Sequence, residues 1–232
     1  MSRWASIELK TDAILFVDDD IVAVDKPSGV LSDASRDPNR DHLGAALCRW
    51  AGSDDAEFLP VHRLDLGTSG VVLYARHRAA ATALMQQFQD RTVTKRYQAI
   101  IDQPRPPWQR GETFDRRSYL RHRKGVTEEV RSGGKPAETT FTVDVADTNH
   151  ALIDALPKTG RTHQLRVHLA ALGAPIVGDE RYGGSLAGQT RLWLHAASLS
   201  LRHPATDQPL VITSRHSLAL DHGQPSMLHN PS

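Results

Sequence analysis

The stretch that most constrains this chain is residues 61–75. His62, Arg63, Leu64, Asp65, Leu66, Gly67, Thr68, Ser69 and Gly70 run without a break into Val71, Val72, Leu73, Tyr74 and Ala75. The second half alternates poorly and is β-branched and apolar, which predicts a buried strand. Gly67 and Gly70 supply permissive backbone just ahead of it, so the first half reads as a loop that delivers Asp65 to the edge of that strand. An aspartate before a turn also serves as an Asx-type turn or cap that satisfies backbone donors and does no chemistry. The rest of the chain has to decide between the two.

Length and composition narrow the field. With 232 residues, 39% hydrophobic and 24% charged, the chain has material for one large core and one catalytic unit, or for two subdomains sharing it. Cys48 is the one cysteine, on a helical-looking segment over residues 43–50, and reads as a buried structural thiol rather than a nucleophile. The first ten residues lack an apolar signal core, and no apolar run approaches the ~20 residues a membrane helix needs, so a reducing cytoplasm and no membrane are expected. Net charge is only +1, yet it is unevenly spread. Asp12, Asp18, Asp19, Asp20 and Asp25 crowd the N-terminal end, while Arg110, Arg116, Arg117, Arg121, Arg123 and Lys124 face only Glu112 and Asp115 in the middle. That basic run suits a phosphate backbone, or else is a solvated loop.

Taken in order, residues 14–17 and 21–24 are short β-prone runs around an acidic turn, a hairpin pattern. Lys26, Pro27, Ser28 and Gly29 mark a structural bend. Residues 32–41 and 53–57 are polar and expected to be mobile loops. Residues 78–90 predict a packing helix with an apolar face through Leu84, Met85 and Phe88. A strand over residues 94–101 puts Lys95, Tyr97 and Ala99 on one face, and Pro104, Pro106 and Pro107 end it. A long basic connection through Gly125 and Gly133 to Pro136 follows, then strands near 139–145 and 151–156. Thr162 is placed to cap a helix carrying Leu165, Leu169 and Leu172, with Arg166 one turn beyond Thr162 and Gly173 at its end. Residues 192–195, 198–201 and 210–213 return to the sheet, and the chain from about Ser217 reads as a frayed tail. The expected organisation is thus an extension over 1–13, a catalytic domain over 14–215 and a flexible tail over 216–232.

Five separated motifs then carry a resemblance. They are His62-Arg63-Leu64-Asp65 with Thr68-Ser69-Gly70; Lys95, Tyr97 and Ala99; residues 160–168, which contain Gly160, Arg161, Thr162, His163, Gln164 and Arg166; Gly178, Asp179 and Tyr182; and Leu194-His195-Ala196. In this order, over about residues 14–215, the chain resembles the RluA family of pseudouridine synthases, which act on large-subunit ribosomal RNA and transfer RNA. The resemblance implies an α+β fold, with a mixed, mostly antiparallel sheet flanked by helices and a central RNA-binding cleft. It implies that Asp65 is the catalytic aspartate, Tyr97 the aromatic residue against the target base, and Arg166 the basic partner of the aspartate. Leu194 matches an apolar position beneath the tyrosine. Many relatives carry an S4-type RNA-binding module ahead of the catalytic domain; here the first strands are expected near residue 14, so recognition falls to the catalytic domain.

The chemistry fits those residue types. Converting uridine to its C-glycoside breaks the N1–C1′ bond, turns the bound uracil and rejoins it through C5, with no redox change, energy source or cofactor required. One carboxylate suffices, whether it attacks the sugar or the base or assists deprotonation of the sugar. An arginine opposes the upward pKa push of burial and stays charged. The nucleotide has to leave its stem-loop and rest on an aromatic face, a part for Tyr97. Arg63, Arg161 and His163 are assigned to RNA contacts, Arg63 with a structural ion pair as the alternative. His62, His163 and His168 lack compact ligand spacing, so no metal is expected. The expected protein is a monomeric, cytoplasmic isomerase of a stem-loop in 23S ribosomal RNA or transfer RNA. Against it stand a non-catalytic RNA-binding protein or chaperone on the same fold, and a carboxylate glycosidase, which wants a second acid.

Overall fold

A computed structural model describes residues 6–35, 37, 39–52, 57–186, 191–221 and 223–230. The chain divides into two compact units, Met1–Val93 with Ser198–Arg215, and Thr94–Ala197 with His216–Ser232. Within the described residues of the expected N-terminal extension, Arg215 donates to the carbonyls of Asp12 and Ile14 at 2.8 and 3.2 Å, fastening residues 12–14 to the first unit; residues 1–5 lie outside the described residues.

In the first unit, β1 (Ile14–Val17) and β2 (Ile21–Lys26) form the expected antiparallel hairpin. Asp18 closes it, its Oδ1 accepting from the amides of Asp20 and Ile21 at 2.9 Å. Burial pushes that carboxyl up, but these amides and His203, 2.7 Å from Oδ2, outweigh it and hold Asp18 below its usual range. Helix α1 (Leu43–Ala51) follows, with Leu43 and Leu47 buried and Cys48 half-buried. Residues 32–41, expected to be mobile, are anchored at both ends: Leu43 N donates to Leu31 O, and Asp41 pairs with Arg49 at 2.6 Å. Arg36 and Pro38 lie outside the described residues, as do residues 53–56 of the other loop expected there.

Strands β3 (Leu59–Pro60) and β2 both pair antiparallel with β4 (Ser69–Ala75), and all seven residues of β4 are buried, as its unbroken apolar run requires. Helix α2 (Arg78–Asp90) packs Ala80, Ala81 and Leu84 into that core. The expected face through Met85 is corrected: Met85 is 49% exposed. It lies about 100° around the helix from Leu84, so the buried stripe passes through the alanines one turn back instead.

The second unit is a set of antiparallel pairs in the order β5 (Thr94–Asp102), β9 (His150–Pro157), β8 (Lys135–Ala146), β6 (Thr113–Arg123) and β7 (Val126–Val130). The basic segment expected as a connection is therefore a hairpin, β6–β7. Its last pair is Arg123 with Val126, and Lys124 and Gly125 between them take φ of 50° and 79°, a two-residue turn of the kind that matches strand twist. Three of its arginines are also neutralised, Arg116 by Glu129, Arg117 by Glu138 and Arg121 by Glu128.

Helix α3 (Gln164–Ala171) buries Leu165 and Leu169, with Gly173 just past its end at φ 73°. Thr162 is not its cap: His163, at φ 56°, holds that position, and it makes no side-chain capping bond. Gln164 instead ties the approach to the helix, accepting from Arg161 N at 3.0 Å and from Thr159 Oγ1 at 2.7 Å while donating to Glu138 O and Thr139 Oγ1. Strand β10 (Leu194–Arg202) belongs to the second unit through Ala197 and to the first from Ser198, where it pairs with β11 (Pro209–Thr213).

The expected flexible tail is corrected as well. Residues from 216 form a further hairpin, β12 (His216–Asp221) with β13 (Gln224–His229), in the second unit. Leu218 is buried, its amide donating to Gln98 Oε1 at 2.9 Å, and Leu220 and Met227 pack on the same core. Proline and histidine content misled because it registers low helix propensity, while alternate positions of a two-stranded ribbon still face the core.

His168 on α3 is fully buried, with Ser118 Oγ 3.1 Å from Nε2 and Thr139 Oγ1 3.1 Å from Nδ1. Burial pushes its imidazole down from 6.5 to about 4, with Arg116 acting in the same direction and Glu129 against it. Above the unfolded value of about 6.5 both states are neutral and stability is unaffected; as pH falls from there toward about 4 the unfolded chain takes the proton first, so stability is lost. Chemical denaturation across this range should show a fall of about 3 kcal/mol that His168→Gln largely removes; identical pH profiles for the two proteins would refute it.

Candidate active site

In the first unit the loop between β3 and β4 is pinned on both sides of Asp65. Leu64 is held through Ser32, whose Oγ accepts from Leu64 N at 3.1 Å and lies 3.2 Å from its carbonyl. The Leu66 carbonyl accepts from Gly29 N at 2.9 Å and from Lys26 Nζ at 3.3 Å, and the Gly67 carbonyl accepts from Ser28 Oγ at 2.7 Å. Asp65 itself starts a turn, its carbonyl accepting from Thr68 N at 3.0 Å, before Gly70 enters β4 at φ 106°. His62 fixes the front of the loop: Nε2 accepts from Leu73 N at 3.0 Å, and the ring stacks on Phe88 at 5.0 Å. The Asp65 residue so held is half-buried, and Arg63, two residues earlier, is exposed.

Lys26 is the member of this clamp that its sequence context marks only as part of a bend. It is 1% exposed, and its ammonium donates to the carbonyls of Pro27 (3.0 Å), Val30 (2.8 Å) and Leu66. One buried cation thus ties the end of β2 to the residue after Asp65. Lys26→Met leaves those acceptors without their charged donor and should cost about 3 kcal/mol in urea unfolding. Wild-type stability in that variant would show that the clamp is dispensable.

The second unit carries the other expected residues. Tyr97 on β5 pairs with Ala155 and is half-buried against the core that contains Leu194, which is buried. Arg166 forms a two-point pair with Asp179, Nε to Oδ2 at 2.7 Å and Nη2 to Oδ1 at 2.8 Å, with Asp179 1% and Arg166 12% exposed. The guanidinium also sits 5.0 Å over the Tyr182 ring. The Tyr182 hydroxyl accepts from Thr127 N at 3.0 Å and lies 2.8 Å from His163 Nδ1. Arg161 donates Nε to Pro136 O at 3.0 Å. The structure therefore groups Arg166 and His163 around Tyr182.

Asp179 is the ion-pair partner of Arg166 that sequence reasoning leaves without a role, although Gly178, Asp179 and Tyr182 stand among the motifs. Gly178, at φ 80°, is where a Cβ would lie 1.9 Å from the Arg191 carbonyl, so that backbone approach admits glycine only. The turn it makes sets Asp179 opposite α3. Among the described residues, Asp18, Asp20 and His203 bring three potential ligand atoms within 4.8 Å, but both Asp18 oxygens are already taken up by the hairpin turn and His203. No helix among the described residues is long and apolar enough to cross a membrane.

Comparison with known proteins gives the class to which the chain belongs. Residues 20–171 match the family described as RNA pseudouridylate synthase. The ribosomal large subunit pseudouridine synthase C of Vibrio vulnificus is 36% identical over 211 residues, covering 88% of this chain and 65% of that protein, so the chain spans just under two thirds of that relative. An uncharacterized RNA pseudouridine synthase of Mycobacterium tuberculosis is 40% identical over 228 residues, 93% of this chain and 73% of that protein. Among solved structures, human RNA pseudouridylate synthase domain containing 1 superposes with a TM-score of 0.72 at 25% identity, covering 97% of this chain and 94% of that one. The chain belongs to the RNA pseudouridylate synthase family, in the RluA group its motifs indicated.

Proposed function

We propose that this protein isomerises a uridine to pseudouridine in a stem-loop of ribosomal RNA of the large subunit or of transfer RNA. The observation that carries the reading is the Asp65 loop, whose main chain is bonded on both sides of a half-buried aspartate. Holding a reacting group still before the substrate arrives is a main part of what a catalytic site supplies. Asp65 is assigned as the catalytic carboxylate, Tyr97 as the face for the extruded base with Leu194 supporting it, and Arg166 as the basic partner in the reaction. Arg63, Arg161 and His163 are assigned to the RNA. The name of the Vibrio relative supports the large subunit as the source of substrate.

One glycosidic bond is exchanged for another within the same nucleoside, so electrons and atoms balance without a cofactor. Action as a monomer is part of this proposal, and ribosomal RNA as substrate supports a cytoplasmic site of action. Pseudouridines should be mapped in ribosomal and transfer RNA from cells with and without the protein. One or more sites should vanish on its removal and return with the wild-type chain but not with Asp65→Asn. An unchanged pattern in both RNA classes would overturn the assignment.

A further inference from the structure

Beyond the Asp65 loop, the β6–β7 hairpin presents a surface that none of the assigned residues uses. Along β6, Ser118 and Leu120 turn inward, Ser118 to His168 and Leu120 into a cluster with Ala137 and Val167. The alternate positions Arg117, Tyr119, Arg121 and Arg123 are exposed, and Tyr119 is 52% exposed in the middle of the row. A strand's period of two places these four side chains on one face. Lys124 continues the positive charge into the turn, against Glu138 and Glu128, which pair with Arg117 at 3.0 Å and Arg121 at 2.9 Å. Such exposed pairs hold little net energy, so a phosphate can compete for the arginines.

The hairpin is also braced. The Gly125 carbonyl at its tip accepts from Arg181 Nη1 at 2.7 Å, Thr127 N donates to Tyr182 Oη, and Thr127 Oγ1 donates to Thr162 O at 2.9 Å. At the other end, a Cβ on Gly134 would sit 2.7 Å from Val130 Cγ2 and 3.0 Å from the Tyr119 backbone, so the turn after β7 closes tightly under the tyrosine. An aromatic ring on a rigid strand, flanked by guanidinium groups at every second position, has the composition of a stacking surface for single-stranded nucleic acid. A protein partner would want a broader apolar patch than Tyr119 and Val126 provide.

We infer that the outer face of β6 binds an unpaired nucleotide of the RNA substrate, with Tyr119 stacking on its base and Arg123 and Lys124 engaging the adjoining phosphates. This deepens the proposed function and rests on it. The test uses the full chain with a fluorescent single-stranded RNA oligonucleotide and a blunt RNA duplex, followed by anisotropy at fixed salt. Tyr119→Ala should weaken single-strand binding roughly tenfold, Tyr119→Phe should bind within about twofold of wild type, and duplex affinity should move by less than about twofold. Arg123→Ala with Lys124→Ala should lower the salt slope on the single strand by about 0.7 for each phosphate that is no longer neutralised. Unchanged melting temperatures would show that the variants remain folded.

Wild-type affinity in Tyr119→Ala, or equal losses on single strand and duplex, overturns the stacking role. So does a loss confined to binding of polyglutamate, which would mark the face as a protein site. If the wild-type chain binds neither RNA, or binds and Tyr119→Ala binds equally well, this inference falls, while the proposed function stands or falls separately with the pseudouridine mapping.

Discussion

Asp65→Asn should abolish pseudouridine formation, with turnover reduced on the order of 10⁴-fold, about 5.5 kcal/mol of barrier, while RNA affinity stays within about threefold. The amide keeps the shape and the hydrogen-bonding reach of the side chain and removes its charge and nucleophilicity. The main-chain bonds of Leu64, Leu66 and Gly67 do not involve the carboxylate, so the loop should keep its conformation. Product analysis of a modified transcript under single-turnover conditions gives the rate, and anisotropy with the same RNA gives the affinity. Turnover within about tenfold of wild type would remove Asp65 from the reaction. Equal losses of rate and affinity would make it a binding residue.

The second large effect concerns Arg166. Its pair with Asp179 is nearly buried, so Arg166→Leu strands a carboxylate that is 1% exposed and should destabilise the protein by about 3–5 kcal/mol in urea unfolding. Replacing both partners with apolar residues should recover much of that loss, because the cost lies in the orphaned charge rather than in the missing attraction. Arg166→Lys should fall in between, since an ammonium cannot make the two-point contact with Asp179. If the guanidinium also serves the reaction as proposed, the recovered double variant should be folded yet slow, with activity falling more than RNA affinity. A folded double variant with wild-type turnover would confine Arg166 to a structural role.

Much of the first unit was legible from residue pattern, since its elements are defined locally. The acidic turn at Asp18, the unbroken apolar run of β4 and the alanine-rich α2 each carry their signal within a few residues, and local hydrogen bonds and burial on both faces act on it directly. The hairpin at β6–β7 was obscured because its charges resemble those of a solvated loop. Only cross-strand pairing with Glu128, Glu129 and Glu138 makes a ladder of them. Met85 failed for a simpler reason, as one step of 100° around a helix separates core from solvent.

At the site, the order of five separated motifs was enough to place the chain in its family, and it is that resemblance that implied Asp65, Tyr97 and Arg166 as candidates. What the chain could not disclose on its own was who holds them. Lys26 lies forty positions from the carbonyl it grips, Ser32 clamps Leu64, and Asp179 takes Arg166 across a turn that only Gly178 permits. Such partners are chosen by burial, which forces each desolvated charge and carbonyl to find a mate in three dimensions, and no local pattern records which mate that is.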